Sequence, residues 1–172
     1  MKKTLILMTI ILSVGVEVHA REPAKVRYDK FKDITTVESR PCRWALGRFK
    51  MSGGGALKFQ YHCPGPTSEC RPPGISVIFT RHGFGWLLMY GERSIIFLVD
   101  GRRIAAQGVG WDGIVTHDGV AEWFVGMLSR DEFHGILAGK DVEIQVGSFT
   151  RRFSAKNLED WRAFGLGVSK IE

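Results

Sequence analysis

Apolar and polar positions alternate along most of this chain with the two-residue period of strands, and break into helical spacing only near the end. Ile95, Ile96, Phe97, Leu98 and Val99 form a short run that is apolar throughout, followed by Asp100-Gly101. Such a run predicts a central strand covered on both faces. The Asp-Gly pair predicts a tight hairpin with positive φ at both turn residues, returning through Arg102 to Ala106. Upstream, Ile75 to Arg81, the turn Gly83-Phe84-Gly85, Trp86 to Tyr90 and the turn Gly91-Glu92 extend this into an antiparallel meander.

Earlier still, Val26 to Phe31 alternates apolar and charged residues, and Ile34 to Val37 continues in β-branched ones. Arg40-Pro41 interrupts the pattern. Trp44 to Met51 reads as a strand that Ser52 to Gly55 turn back into Ala56 to His62. Cys63 to Gly74 holds Pro64, Pro66, Pro72 and Pro73 and reads as a loop, as does glycine-rich Gln107 to Gly119. Ala121 to Leu128 is again apolar and aromatic.

Two helices are predicted. Ser129 and Glu132 fit a capping box, Phe133, Ile136 and Leu137 follow at helical spacing, and Gly139 suits a left-handed stop. Val142, Ile144 and Val146 then alternate into a hairpin at Gly147-Ser148 that returns through Phe149 to Phe153. Ser154 caps a last helix reaching about Leu166. Its stripe of Leu158, Trp161 and Phe164 must lie on the sheet, leaving Lys156, Glu159, Asp160 and Arg162 to water. The fold class expected is α+β, mostly β: an antiparallel sheet or sandwich, with a short helix near 129–138 and a C-terminal helix near 154–166 packed on it.

Composition narrows the setting. The 172 residues, 44% hydrophobic and 24% charged, suit one domain. Residues 1–20 read as a secretory signal peptide: Lys2-Lys3, an apolar Thr4 to Val16 too short for a comfortable span, and Val18-His19-Ala20 before a cut at Arg21. The expectation is therefore a single exported bacterial domain over 21–172, periplasmic or secreted, with no integral membrane span once the leader is removed. That cut removes Lys2, Lys3 and Glu17 and lowers the formal charge from +6 to +5. A moderately basic balance serves simple solubility; where it marks a partner, an exported protein points to an acidic protein or envelope component rather than nucleic acid. Three cysteines, Cys42, Cys63 and Cys70, remain. In an oxidising compartment the turn-rich Pro64 to Glu69 segment suits a Cys63–Cys70 bridge, although spacing alone leaves a pairing with Cys42 open.

Tyr28 to Val37 (YDKFKDITTV), the Asp100-Gly101 hairpin, and the closing hairpin with its Ser154-capped helix resemble uncharacterised exported bacterial proteins. In layout, though not in any motif, the chain is similar to the invasion-associated locus B type of periplasmic protein. The resemblance implies an exported domain, α+β or mostly β, and carries over no catalytic or binding residue.

No stretch carries a catalytic, metal or cofactor signature. Among His62, His82, His117 and His134, only His117-Asp118 is an adjacent pair of metal-ligand types, and no HExxH or CxxC pattern exists. Arg40 and Arg43 flank Cys42 and would favour a thiolate if it were exposed. Asp112, Asp118 and Glu122 are the carboxylates available for hydrolysis or calcium binding, on the 108–119 loop or beside it. Arg102-Arg103 and Arg151-Arg152 lie on hairpin strands, where alternation puts the two members of each pair on opposite faces. These are either solvated arginines that keep the sheet edges soluble or, with one arginine from each pair sharing an exposed face, a site for an acidic partner, with Arg103 and Arg152 as the candidates. Of the five tryptophans, Trp111 between Gly110 and Asp112 is the one expected to be partly exposed in a contact loop. The candidate interaction surface is thus Trp111, Asp112, His117, Asp118, Arg103 and Arg152, with neither cofactor nor metal expected. A non-catalytic binding module fits these features best. The alternatives are a secreted hydrolase or metal-dependent enzyme built on the 108–119 loop, and an envelope assembly component.

Overall fold

The computed structural model describes residues 24–45, 54–68, 70–86 and 92–169. The expected leader at 1–20, the far end of the Trp44 to Met51 strand and Leu87 to Tyr90 lie outside them. The elements in order are β1 (Ala24–Asp29), β2 (Ile34–Ser39), β3 (Cys42–Ala45), β4 (Gly54–Pro64), β5 (Ile75–Gly83), β6 (Ile95–Val99), β7 (Arg102–Ala105), β8 (Gln107–Thr116), β9 (Gly119–Leu128), α1 (Arg130–Ala138), β10 (Val142–Val146), β11 (Phe149–Arg152) and α2 (Ala155–Ser169).

The strands form two antiparallel sheets. The larger runs β1-β2-β4-β5-β9-β8, with β3 also paired to β4; the smaller runs β11-β10-β6-β7. Their inner faces meet in one core, where Phe59 lies 6.1 Å from Phe97 and Phe79 lies 6.0 Å from Phe149. α1 and α2 extend the second layer beside the small sheet. Phe133 sits 5.0 Å from Phe59, Trp161 sits 4.8 Å from Phe59, and Phe164 sits 5.7 Å from Tyr61. Leu158, Trp161 and Phe164 are all buried, as their spacing predicts. Each sheet keeps one face in solvent, which is why alternation is so plain in β4, β5 and β9.

The order of strands differs from a meander. β5 pairs with β4 and β9, while β6 lies in the other sheet between β10 and β7. Local turn signals cannot reveal a chain that leaves one sheet for another. β6 is an interior strand of its sheet, but not one covered on both faces: Ile95, Phe97 and Val99 are buried while Leu98 is 43% exposed. Gln107 to Thr116 is a strand rather than a loop, despite Gly108, Gly110 and Gly113. The chain crosses from β7 to β8 at Ala106. It passes so close to Gly126 that a Cβ there would meet the Ala106 Cβ at 2.8 Å.

The helix caps illustrate a similar point. Ser129 and Glu132 form the full capping box on α1. Gly139, by contrast, is not left-handed; it is extended at φ −62°, ψ 143°. A Cβ at Gly139 would drive into Val99, so close approach rather than turn geometry requires glycine. The carbonyls a left-handed cap would satisfy are taken by Arg162, which donates to Leu137 O at 2.8 Å and Gly139 O at 2.7 Å. Arg162 therefore ties α2 to α1 and does not simply face water. The Asp100-Gly101 turn has positive φ at both residues, 49° and 83°. The backbone N–H groups of Asp141 and Lys140 donate to the Asp100 carboxylate and hold its pKa below the ordinary value. A depressed folded-state pKa gives stability that is present above the unfolded value and is lost as pH falls through the folded one. Asp100→Asn should therefore flatten the acid limb of a stability–pH curve measured by denaturant unfolding; an unchanged limb would contradict the assignment.

Candidate functional site

The residues singled out from sequence do not gather at one place. Trp111 lies on the inner face of β8, with its ring 5.7 Å from Trp86 and the Arg93 guanidinium 5.8 Å above it. Neighbouring Asp112 points to the opposite, outer face and accepts from the backbone N–H of Gly113 at 2.7 Å. His117 and Asp118 form the exposed β8–β9 turn, where Thr116 donates to Asp118 at 3.0 Å and His82 lies 3.6 Å from it. Glu122 faces inward, so the three carboxylates considered for hydrolysis are spread over two faces and a turn. Among the described residues, no three His, Cys, Asp or Glu side chains are placed to hold a metal ion.

Cys63 and Cys70 are disulfide-bonded, with Cα atoms 5.6 Å apart. Cys42 is a buried free thiol. Burial pushes its pKa up to about 11, against the pull of Arg151. The protonated thiol lacks the nucleophilicity that its arginine neighbours in sequence suggest.

Arg103 and Arg152 do share a face. The register places Arg103, Leu98, Glu143 and Arg152 in one cross-strand row on the open side of the small sheet. Arg152 is already engaged there: it pairs with Asp141 and approaches Glu143 at 3.6 Å. Arg152 also holds the Asp141 carboxyl below the usual range. The hollow on this face is small, about 180 Å³.

A stronger concentration of charge lies on the outer face of the large sheet, at a site the sequence alone does not mark. β2 and β3 run end to end along the same edge of β4. Between the pairs Glu38–Gln60 and Cys42–Leu57 the outer chain advances four residues against three on β4. The extra residue is a bulge centred on Arg40-Pro41, where proline has no N–H to give the ladder. Ser39 repairs the gap by accepting the Phe59 backbone N–H at 2.9 Å. The bulge also shifts the alternation by one, so Cys42 and Trp44 face the core on even numbers where Val37 and Ser39 do so on odd ones.

The same shift turns Arg43 outward. A groove of about 560 Å³ results, lined by Lys25, Glu38, Arg40, Pro41, Arg43 and Lys58. Glu38 is matched by Lys58 at 2.8 Å. Lys25 and Arg43 add further positive charge around the same opening. The surface pair itself adds little stability but fixes the Lys58 ammonium at the groove floor.

A second feature missed from sequence is the buried pair Arg81–Glu122. These residues stand opposite each other on β5 and β9, 2.6 Å apart, and Arg81 also donates to the carbonyl of Gly85 at 2.6 Å. The row continues through Gly55 on one side and Gly113 on the other. At Gly113 a Cβ would meet Trp86 at 2.5 Å. The pair is thus buried at the end of the core; it borders a second hollow beside Arg43 and is not part of the basic groove.

No helix of the described residues is long and apolar enough to cross a membrane. No family model, curated protein or solved structure matches the chain.

Proposed function

We propose that the protein is an exported, non-catalytic binding module whose partner is an acidic component of the cell envelope, held at the groove between β1 and β3. The observation that carries this reading is the placement of Lys25 and Arg43 around one concave opening whose single carboxylate among the described residues, Glu38, is already paired with Lys58. Concave, positively lined sites focus the field toward an anionic ligand and raise its local concentration. The Cys63–Cys70 bridge and the basic-then-apolar stretch at 1–20 support export, as does the resemblance to exported bacterial proteins.

Two charge reversals of equal net effect test the location. Arg43→Glu in the groove and Arg103→Glu on the small sheet each change the formal charge by two, on exposed residues outside the core. Binding of a fluorescent decaglutamate probe, followed by anisotropy at low salt, should weaken by about tenfold or more for Arg43→Glu, the scale of one lost ion pair in a concave site. It should change less than about twofold for Arg103→Glu. Equal losses would mean that only overall charge matters and would remove the groove assignment.

A further inference from the structure

We infer that the anion bound at this groove carries an apolar tail, so that the ligand is an amphiphile with a phosphate or carboxylate head. The inference rests on the acidic-partner reading above and names the chemical class of that partner. Arg43 lines two hollows at once. On one side is the basic groove; on the other is a hollow of about 580 Å³ lined by Ala56, Thr80, Ala121 and Trp123, with His82 and the mutually paired Arg81 and Glu122 as its polar members.

Cross-strand register explains why this second hollow exists. Arg43, Ala56, Thr80, Trp123 and Asp112 follow one another in a single row across β3, β4, β5, β9 and β8. The next row along the strands toward the β8–β9 turn is Gly54, His82, Ala121 and Ile114. Ala56 and Thr80 in the first row and Gly54 and Ala121 in the second are small and leave the hollow open, and Trp123 lines it. Ile78 and Val125, in the row on the other side of Thr80 and Trp123, continue the apolar surface. Hollows of this volume with an apolar lining and a few polar groups suit ligands of small-molecule size.

Charge sets the ligand's direction. Asp112 stands beyond Trp123 at the far end of the row, and Arg43 stands at the near end. An anionic head is attracted at the Arg43 end, where Lys25 and Lys58 stand nearby, and is repelled at the Asp112 end. A tail reaching from Arg43 across Ala56 and Thr80 covers apolar surface that would otherwise remain in water. A soluble polyanion would leave that surface unused.

The test is calorimetric titration of the protein with three probes, each below its micelle-forming concentration: dodecyl phosphate, butyl phosphate and dodecyl maltoside. Dodecyl phosphate should bind at least about tenfold more tightly than either of the others. Thr80→Trp fills the apolar hollow from an exposed position; it and Arg43→Glu should each weaken dodecyl phosphate by about tenfold. Ala56→Leu provides a second filling variant, and circular dichroism confirms that each variant folds. If butyl and dodecyl phosphate bind alike, and Thr80→Trp has no effect while Arg43→Glu does, the amphiphile inference falls and the acidic-partner reading stands. If dodecyl maltoside matches dodecyl phosphate, or only Thr80→Trp weakens binding, both fall.

Discussion

Replacing Glu122 with glutamine should destabilise the protein by about 3–5 kcal/mol, the scale for stranding one member of a buried ion pair. The Glu122 side chain is wholly buried and that of Arg81 is 8% exposed, so water cannot replace the lost carboxylate. The Gly85 carbonyl would still accept from Arg81, but a neutral amide leaves the guanidinium charge uncompensated. For a chain of this length the loss corresponds to a fall of roughly 10 °C in thermal midpoint. The double change Arg81→Met with Glu122→Leu should recover most of the loss, since removing both charges removes the desolvation cost along with the attraction. A midpoint for Glu122→Gln within about 2 °C of the parent would show that the pair is solvated and would contradict its place in the core.

Truncating Trp161 to alanine should cost about 3–5 kcal/mol. The indole is 1% exposed and touches both layers, with ring centroids 4.8 Å from Phe59 on β4 and 4.4 Å from Phe153 after β11. No neighbouring side chain can swing into so large a void without leaving its own rotamer. Leu166 on the same helix is 63% exposed and serves as the control; Leu166→Ala should change stability by less than about 0.5 kcal/mol. Urea midpoints at constant slope measure both. A small effect at Trp161 together with a large one at Leu166 would mean that α2 docks through its other face.

Much of this fold was legible in the chain, and the reasons differ by element. The Asp100-Gly101 and Gly147-Ser148 hairpins and the Ser129 capping box rest on contacts within a few residues, and the spacing of Leu158, Trp161 and Phe164 marks a buried face whatever it packs on, so turn and helix chemistry is written locally. The reading failed where a distant neighbour decides. Gly110 and Gly113 suggest a loop, yet β8 is a strand because β9 supplies its ladder and Trp86 needs the space over Gly113. Gly139 is glycine because of Val99, forty residues earlier, and Arg162 does the capping. Leu98 breaks the expectation of a doubly covered strand because the helices lie beside the small sheet, not over it.

The candidate site was less legible still. Arg103 and Arg152 do share a face, as alternation requires, but Asp141 occupies Arg152. Lys25, Arg43 and Lys58 come from three strands. They converge only because the bulge at Arg40-Pro41 reverses the phase of β3, and a single proline in the sequence does not say by how many residues the register slips.

The most direct measurement is a residue-resolved amide chemical-shift titration of the protein with dodecyl phosphate. The account predicts the largest shifts at Lys25, Arg43, Ala56, Lys58 and Thr80, with little change at Leu98, Arg103, Glu143 and Arg152. Shifts concentrated on those last four, or around Trp111 and His117, would place binding elsewhere and contradict it.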